Sequence, residues 1–259
     1  MHIQLLPPIM KNILQLTIFL FSIGILACDC GVQSITEKFI QSEFVSNITI
    51  IKIYQNKENE LGYKADIRIN ELFKGEQLKS IYIYGRSDNS KGSSCDIYIP
   101  TNTKLIAYAR KNKDGNYGIG MCSGLVYFNK ENQAEQSREI NILKEFKSKK
   151  INYTNKLNYQ EMGNLGENLE EFKGIELNKT YGIYEIIFDS NLKIKKVKKI
   201  SGFGKKIDKK LIKIIEKTEW AIFGKKTSEN KEYDNKLLIG IYYYPRGKEN
   251  PSFLSQFYL

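Results

Sequence analysis

The chain has 259 residues, 41% of them hydrophobic and 27% charged, with 40 Lys+Arg against 29 Asp+Glu. This length and apolar share suit one or two folded domains, and they exclude a short disulfide toxin, a collagen and a wholly disordered chain. The single histidine, His2, lies in a segment that reads as removable. Its loss excludes Ser-His and Cys-His nucleophilic sites, and histidine-ligated zinc, from the mature protein.

In chain order, Lys11-Asn12 precedes the apolar stretch Ile13 to Ala27, broken only by Gln15, Thr17, Ser22 and Gly24. A basic head, a short apolar core and a small residue at the exit make residues 1–27 a secretory signal, too short and interrupted for a membrane span. The exit has two readings. Ile25-Leu26-Ala27-Cys28 is similar to a bacterial lipobox, which would acylate Cys28, whereas ordinary cleavage after Ala27 leaves Cys28 with a free amine. The cysteines are Cys28, Cys30, Cys95 and Cys122. An even set in an exported protein favours the free amine, because a lipidated Cys28 would leave an odd number behind. Three pairings are open. Cys28 with Cys30 would close a strained ring, while each of the other two ties the N-terminal segment to distant points, with loop-closure entropy worth about 4 kcal/mol per bond.

Residues 44–128 read as strands and turns. Phe44 to Tyr54 is β-branched and aromatic, and Tyr63 to Phe73 alternates apolar and polar residues before Lys74-Gly75 turns the chain into Leu78 to Tyr84. A loop over Ser87 to Ser94, a strand over Thr103 to Arg110 and a hairpin signal at Asp114-Gly115 before Tyr117 to Met121 complete a sheet closed into a barrel or a sandwich. Residues 129–180 are polar and read as a charged linker with a helix over Gln136 to Lys147. Glu170, Glu171 and Glu176 read as solvated linker carboxylates, since no apolar surroundings raise a pKa for acid-base work. From 181 to 245 the pattern is ββαβ: Tyr181 to Phe188, Leu192 to Ile200, a helix over Ile207 to Thr218 with Ile207, Leu211, Ile214 and Ile215 on one face, and Lys236 to Tyr244.

Two families are suggested by these residues. Cys28-Asp29-Cys30, Phe44-Val45, Ile69-Asn70-Glu71-Leu72-Phe73-Lys74-Gly75, Ser94-Cys95 and Met121-Cys122 resemble the netrin-like module of the tissue inhibitors of metalloproteinases, over roughly residues 28–125. The resemblance implies a five-stranded OB-type barrel with Cys28 bonded to Cys95 and Cys30 to Cys122. It further implies inhibition by the amine and carbonyl of Cys28, which chelate the catalytic zinc of a target protease and displace its water. The family places a small or hydroxyl residue after that cysteine. Here Asp29 stands there, and it calls for a target with a basic specificity pocket. Tyr184-Glu185-Ile186-Ile187-Phe188, Ile194-Lys195-Lys196-Val197, Gly202-Phe203-Gly204-Lys205-Lys206-Ile207-Asp208, Trp220 and Leu237 to Tyr244 resemble the C-terminal domain of TonB. That likeness implies protein contacts through sheet edges.

The basic balance rests mostly on lysine, with arginine only at five positions, so specific nucleic-acid recognition is not expected. Lysines 193–199 read as a solvated strand face; weak attraction to an acidic envelope or glycan surface is the other reading. The expectation is an exported, non-enzymatic protein without cofactor, secreted, periplasmic or on the outer envelope. It would inhibit a metalloprotease through Cys28, Asp29 and Cys30. The alternative is a cell-envelope interaction adaptor, membrane-bound only if Cys28 is lipidated. No histidine-free catalytic constellation supports an enzyme.

Overall fold

A computed structural model describes residues 28–57, 60–90, 92–151, 158–189, 193–223, 236–257 and 259. The signal read over 1–27, and Ser190 and Asn191 of the Asp189–Asn191 turn, lie outside the described residues. After Cys30 the chain enters a short helix, α1 (Ile35–Gln41). Ser34 and Glu37 form a reciprocal capping box at its start: the Glu37 amide donates to Ser34 Oγ at 3.2 Å and the Ser34 amide to Glu37 Oε2 at 2.8 Å.

Five strands follow: β1 (Phe44–Ile53), β2 (Gly62–Lys74), β3 (Ser80–Tyr84), β4 (Lys104–Lys111) and β5 (Tyr117–Ile119). They close as a ring in the order β1-β2-β3-β5-β4 and back to β1, antiparallel except for β3 with β5. Of the two expected closures, the structure is the barrel. Ile48, Ile50, Tyr63, Ala65, Ile83 and Leu105 fill it. The first seven residues of β1 are all buried, because its outer face is covered as well as its inner one. Val45 belongs to a different core from its neighbour Phe44. This explains why β1 is rich in β-branched and aromatic residues on both faces while β2 alternates, and its polar Ser46, Asn47 and Thr49 are buried too.

The Lys74-Gly75 pair earns its place structurally. Lys74 Nζ donates to the carbonyls of Phe39 and Ile40, at 2.8 and 3.0 Å, and so satisfies the last turn of α1. Burial lowers the Lys74 pKa from its ordinary value, against an opposing pull from Glu43. Gly75 has φ +90, and a Cβ there would run into the Glu43 carbonyl oxygen. Lys74→Met should therefore leave two carbonyls without a donor and cost about 1–3 kcal/mol. Urea unfolding midpoints of the two proteins check this.

A short strand, β6 (Val126–Tyr127), lies along β4 and leads to helix α2 (Gln133–Ser148). The expected helix is present, and it begins three residues earlier and ends one later than the sequence reading. Ile142, Leu143 and Phe146 are fully buried. They join Ile35, Phe39, Val45, Phe73, Ile106 and Tyr108 from the barrel side with residues of the second sheet in one core. The helix packs as a filling between the two halves rather than as a solvated spacer.

Beyond it, β7 (Asn158–Glu161) and helix α3 (Leu165–Leu169), continued by a 3₁₀ turn over Glu170–Phe172, occupy ground that reads as polar linker. Leu165, Leu169 and Phe172 are buried in the second core, while Glu170 and Glu171 are exposed, as expected. The strands β8 (Tyr181–Phe188) and β9 (Ile194–Ser201), then helix α4 (Lys205–Lys217), follow the expected hairpin and helix. After them come β10 (Trp220–Phe223), β11 (Lys236–Tyr244) and β12 (Phe253–Phe257). The second sheet is antiparallel in the order β12-β11-β8-β9, and β10 pairs with β7 in a separate ribbon. The unit thus extends past Pro245, where the sequence reading ends it. Tyr184, Ile186, Ile239 and Ile241 of the sheet pack against Leu211 and Ile215 of α4 on one side. Tyr181, Ile183 and Leu238 pack against α2 on the other.

Candidate functional site

Two disulfides fasten the N-terminal residues to the barrel: Cys28 to Cys95 and Cys30 to Cys122, across 67 and 92 positions of sequence. These are the pairs that the netrin-like resemblance implies. The sequence alone left two long-range pairings open. Cys28 and Cys30 are half-buried and Asp29 between them is exposed. The Asp29 carbonyl oxygen lies 4.0 Å from Cys122 Sγ. All five expected site residues therefore converge on one end of the barrel.

Each disulfide lands on a loop that is itself held. Asp96, next to Cys95, accepts from the Gly92 and Ser93 amides at 2.8 and 3.0 Å and from the Ser93 hydroxyl at 2.7 Å. The Cys95 amide in turn donates to Ser93 Oγ. Those hydrogen bonds, the Ser93 hydroxyl foremost, hold the Asp96 carboxyl below its usual range. Asp88, in the same loop, is held low chiefly by the Ser90 hydroxyl. The turn over Met121–Ser123 carries Cys122 and is closed by the Gly120 amide donating to Ser123 Oγ at 2.8 Å. Behind it, Lys38 Nζ donates to the Gly124 carbonyl at 3.3 Å and to Glu139 Oε1 at 2.6 Å. Glu139 also accepts from the Tyr108 hydroxyl at 2.5 Å. Helix α1, helix α2 and strand β4 thus share one carboxylate just under the second disulfide.

Two large apolar side chains stand exposed at this end, among polar residues of the loops. Val32 is 87% exposed two residues past Cys30, and Met121 is 47% exposed beside Cys122. Tyr84, also exposed, lies across Gly118, whose Cβ would come within 2.9 Å of that ring. A side chain at 118 would have to push the Tyr84 ring aside. Three sulfurs, of Cys28, Cys30 and Cys122, lie within 4.8 Å of one another. All are committed to disulfides, and thiolate is the form that ligates metals. What the arrangement offers chemically is a segment pinned by two disulfides with Asp29 exposed at its middle. The supports Ser34, Lys38 and Glu139 were not singled out by sequence reading. Ser34-x-x-Glu37 is a readable capping signal, but Lys38 and Glu139 are 101 positions apart and carry no local signal.

A second buried cluster is structural. Asp208 accepts from the Tyr184 hydroxyl at 2.9 Å, Lys199 Nζ at 2.9 Å and the Phe203 amide at 2.8 Å. Burial pushes its carboxyl up, and these bonds more than offset that, so it stays below the usual carboxylate range. A Cβ on Gly202 would collide with the same carboxylate. Gly202-Phe203-Gly204…Asp208 is thus a device for starting α4 against the sheet, as its amides bind an internal carboxylate rather than a phosphate.

Comparison of the sequence with protein-family models and with curated proteins finds no match.

Proposed function

We propose that the exported chain inhibits metalloproteases without catalysis. Once the signal is removed, the α-amine and carbonyl of Cys28 would chelate the catalytic zinc of the target. The observation that carries this reading is the pair of disulfides holding Cys28-Asp29-Cys30 against two braced loops, with Asp29 exposed between them. A chelate held rigid before docking loses little ordering entropy when it binds. The Cys28 sulfur, engaged with Cys95, has no valence left for a thioether-linked lipid, which favours the free amine over the acylated alternative. Asp29 directs the choice of target toward proteases with a basic specificity pocket, because an apolar pocket would have to desolvate the carboxylate.

Two finer assignments belong to this reading. An OB-type, netrin-like barrel is supported by the ring order and by β3 with β5 as its parallel pair. A TonB-like C-terminal unit is supported by the β8–β9 hairpin, α4, Trp220 after the helix, and β11. The added strand β12 covers one edge of β11.

The test uses the secreted protein against a panel of zinc endopeptidases. The mature N-terminus should be a non-acylated Cys28, seen by mass spectrometry under non-reducing conditions with the mass deficit of two disulfides. Adding one alanine before Cys28 should abolish inhibition while leaving the unfolding midpoint unchanged. Equal potency with the extra residue ends the proposal, and a diacylglyceryl group on Cys28 would replace it with the envelope-adaptor reading.

A further inference from the structure

Positive charge is not spread evenly over this protein. Residues 193–217 hold eleven lysines and two acids, and so nine of the chain's eleven net positive charges. All eleven lysines are exposed. Three have acidic partners: Lys199 with Asp208, Lys198 with Glu185 and Lys210 with Glu171. The other eight have no acid within ion-pair distance among the described residues. We infer that the solvent side of α4, with Lys199 of β9 beside it, is a docking surface for an anionic phospholipid bilayer.

The arrangement carries the inference in three ways. First, the lysines of α4 fall in rows. Lys205, Lys209 and Lys213 sit at i, i+4 and i+8 along about 12 Å of helix. Lys199, Lys205, Lys209 and Lys213 also border a shallow trough of about 430 Å³, with Ile212 at its side and the carboxylates of Asp208 and Glu216 as its two acids; Asp208 is already bonded to Lys199. Several phosphates of a fluid surface can be met at once by such a row, with half-buried Ile212 and Ile214 among the lysine stems.

Second, the bland explanation covers only part of the field. Lysine on an edge strand discourages sheet-to-sheet pairing, and β9 is the edge of its sheet. That accounts for the lysines of β9. It does not account for six on a helix, which has no edge to protect.

Third, the chemistry favours lipid over other polyanions. The segment contains no arginine, so it lacks the planar fork that reads phosphate and base edges bidentately. Its one aromatic, Phe203, packs against the core instead of standing free for base stacking. A surface this dense in one sign of charge is also unlike a protein–protein interface, whose core is depleted of charged residues. The disulfide-bonded Cys28 lies on the other structural unit, so this contact needs no acylation. The inference therefore stands apart from the inhibitor reading.

The experiment is co-sedimentation of the full mature protein with vesicles of phosphatidylcholine alone, and with phosphatidylglycerol mixed in, at low and high salt. Binding is expected only to the phosphatidylglycerol vesicles and should be lost at high salt. The triple variant Lys205→Gln, Lys209→Gln, Lys213→Gln should partition about a hundredfold less, since each lysine near a charged bilayer contributes about fivefold. Lys113→Gln, Lys130→Gln, Lys149→Gln removes the same charge from exposed sites elsewhere and should bind within about twofold of the parent. Equal loss in both triple variants would reduce the effect to net charge and overturn the proposal. Equal binding to both vesicle types would do the same. Displacement from the vesicles by duplex RNA or heparin at matched anionic charge would assign the face to another polyanion instead.

Discussion

Phe146→Ala is expected to destabilise the whole protein by about 4 kcal/mol and to split one cooperative unfolding transition into two. Phe146 is fully buried, and its ring meets that of Phe39 edge-on at 5.3 Å between centroids. It lies in the core where α1 and the barrel approach Tyr181, Ile183 and Leu238 of the second sheet. Truncating it removes transfer energy and leaves a cavity between two units, each of which keeps a core of its own. The joint is what fails, and cooperativity between the units fails with it. Phe172→Ala is the matched control, because Phe172 is equally buried but belongs to the second core alone. It should lower stability by a similar amount and leave barrel and sheet uncoupled no more than before. Urea unfolding followed by far-UV circular dichroism, and separately by Trp220 fluorescence, distinguishes the two. Coincident curves for Phe146→Ala would mean that α2 does not couple the halves.

The importance of α2 was hard to see in sequence for a physical reason. Its buried apolar residues Ile142, Leu143 and Phe146 are few, and they stand among polar and charged residues, two of which, Gln136 and Glu139, are themselves turned inward. The strands of the barrel were easier to read. Alternation in β2 reports one buried face, whereas β1 is buried on both, with Ser46, Asn47 and Thr49 among its buried residues. The stretch over 165–172 held a signal that its glutamates hid. Leu165, Leu169 and Phe172 recur at i, i+4 and i+7, the spacing of a helical stripe, and all three are buried. Strand β12 gave little to read: five residues between Pro251 and the last residue, with a mixed Phe-Leu-Ser-Gln-Phe pattern. In the candidate site, the cysteines declared themselves, but their pairing came through the family resemblance. The braces at Lys38 and Glu139 depend on chain closure, which no local pattern encodes.

The protein should also lose stability steeply above pH 10, by about 5 kcal/mol in total at pH 11, through four buried tyrosines. Burial pushes Tyr63 and Tyr181 up to about 12. Tyr108 and Tyr184 are pushed higher still, by burial first and then by the charges of Glu139 and Asp208, to which their hydroxyls donate. All four are nearly inaccessible to solvent, so screening does little to relieve the cost of ionising them. A phenol whose folded pKa is raised keeps its proton while the unfolded chain releases it. The stability it contributes is complete below the unfolded value of about 10 and drains away as pH climbs through the folded one. Each such tyrosine adds a slope of about 1.4 kcal/mol per pH unit in that window. Disulfide exchange does not confuse the measurement at its start, because all four cysteines are bonded and no thiolate is present to initiate it. Tyr181→Phe is the sharpest variant. It removes one ionisable group whose shift comes mainly from burial, with a lesser push from Glu145, and keeps the ring beneath Lys179. Urea midpoints from pH about 9 to about 11 should fall about one quarter less steeply for Tyr181→Phe than for the parent. An unchanged slope would mean that Tyr181 ionises in the folded protein as readily as in the unfolded chain.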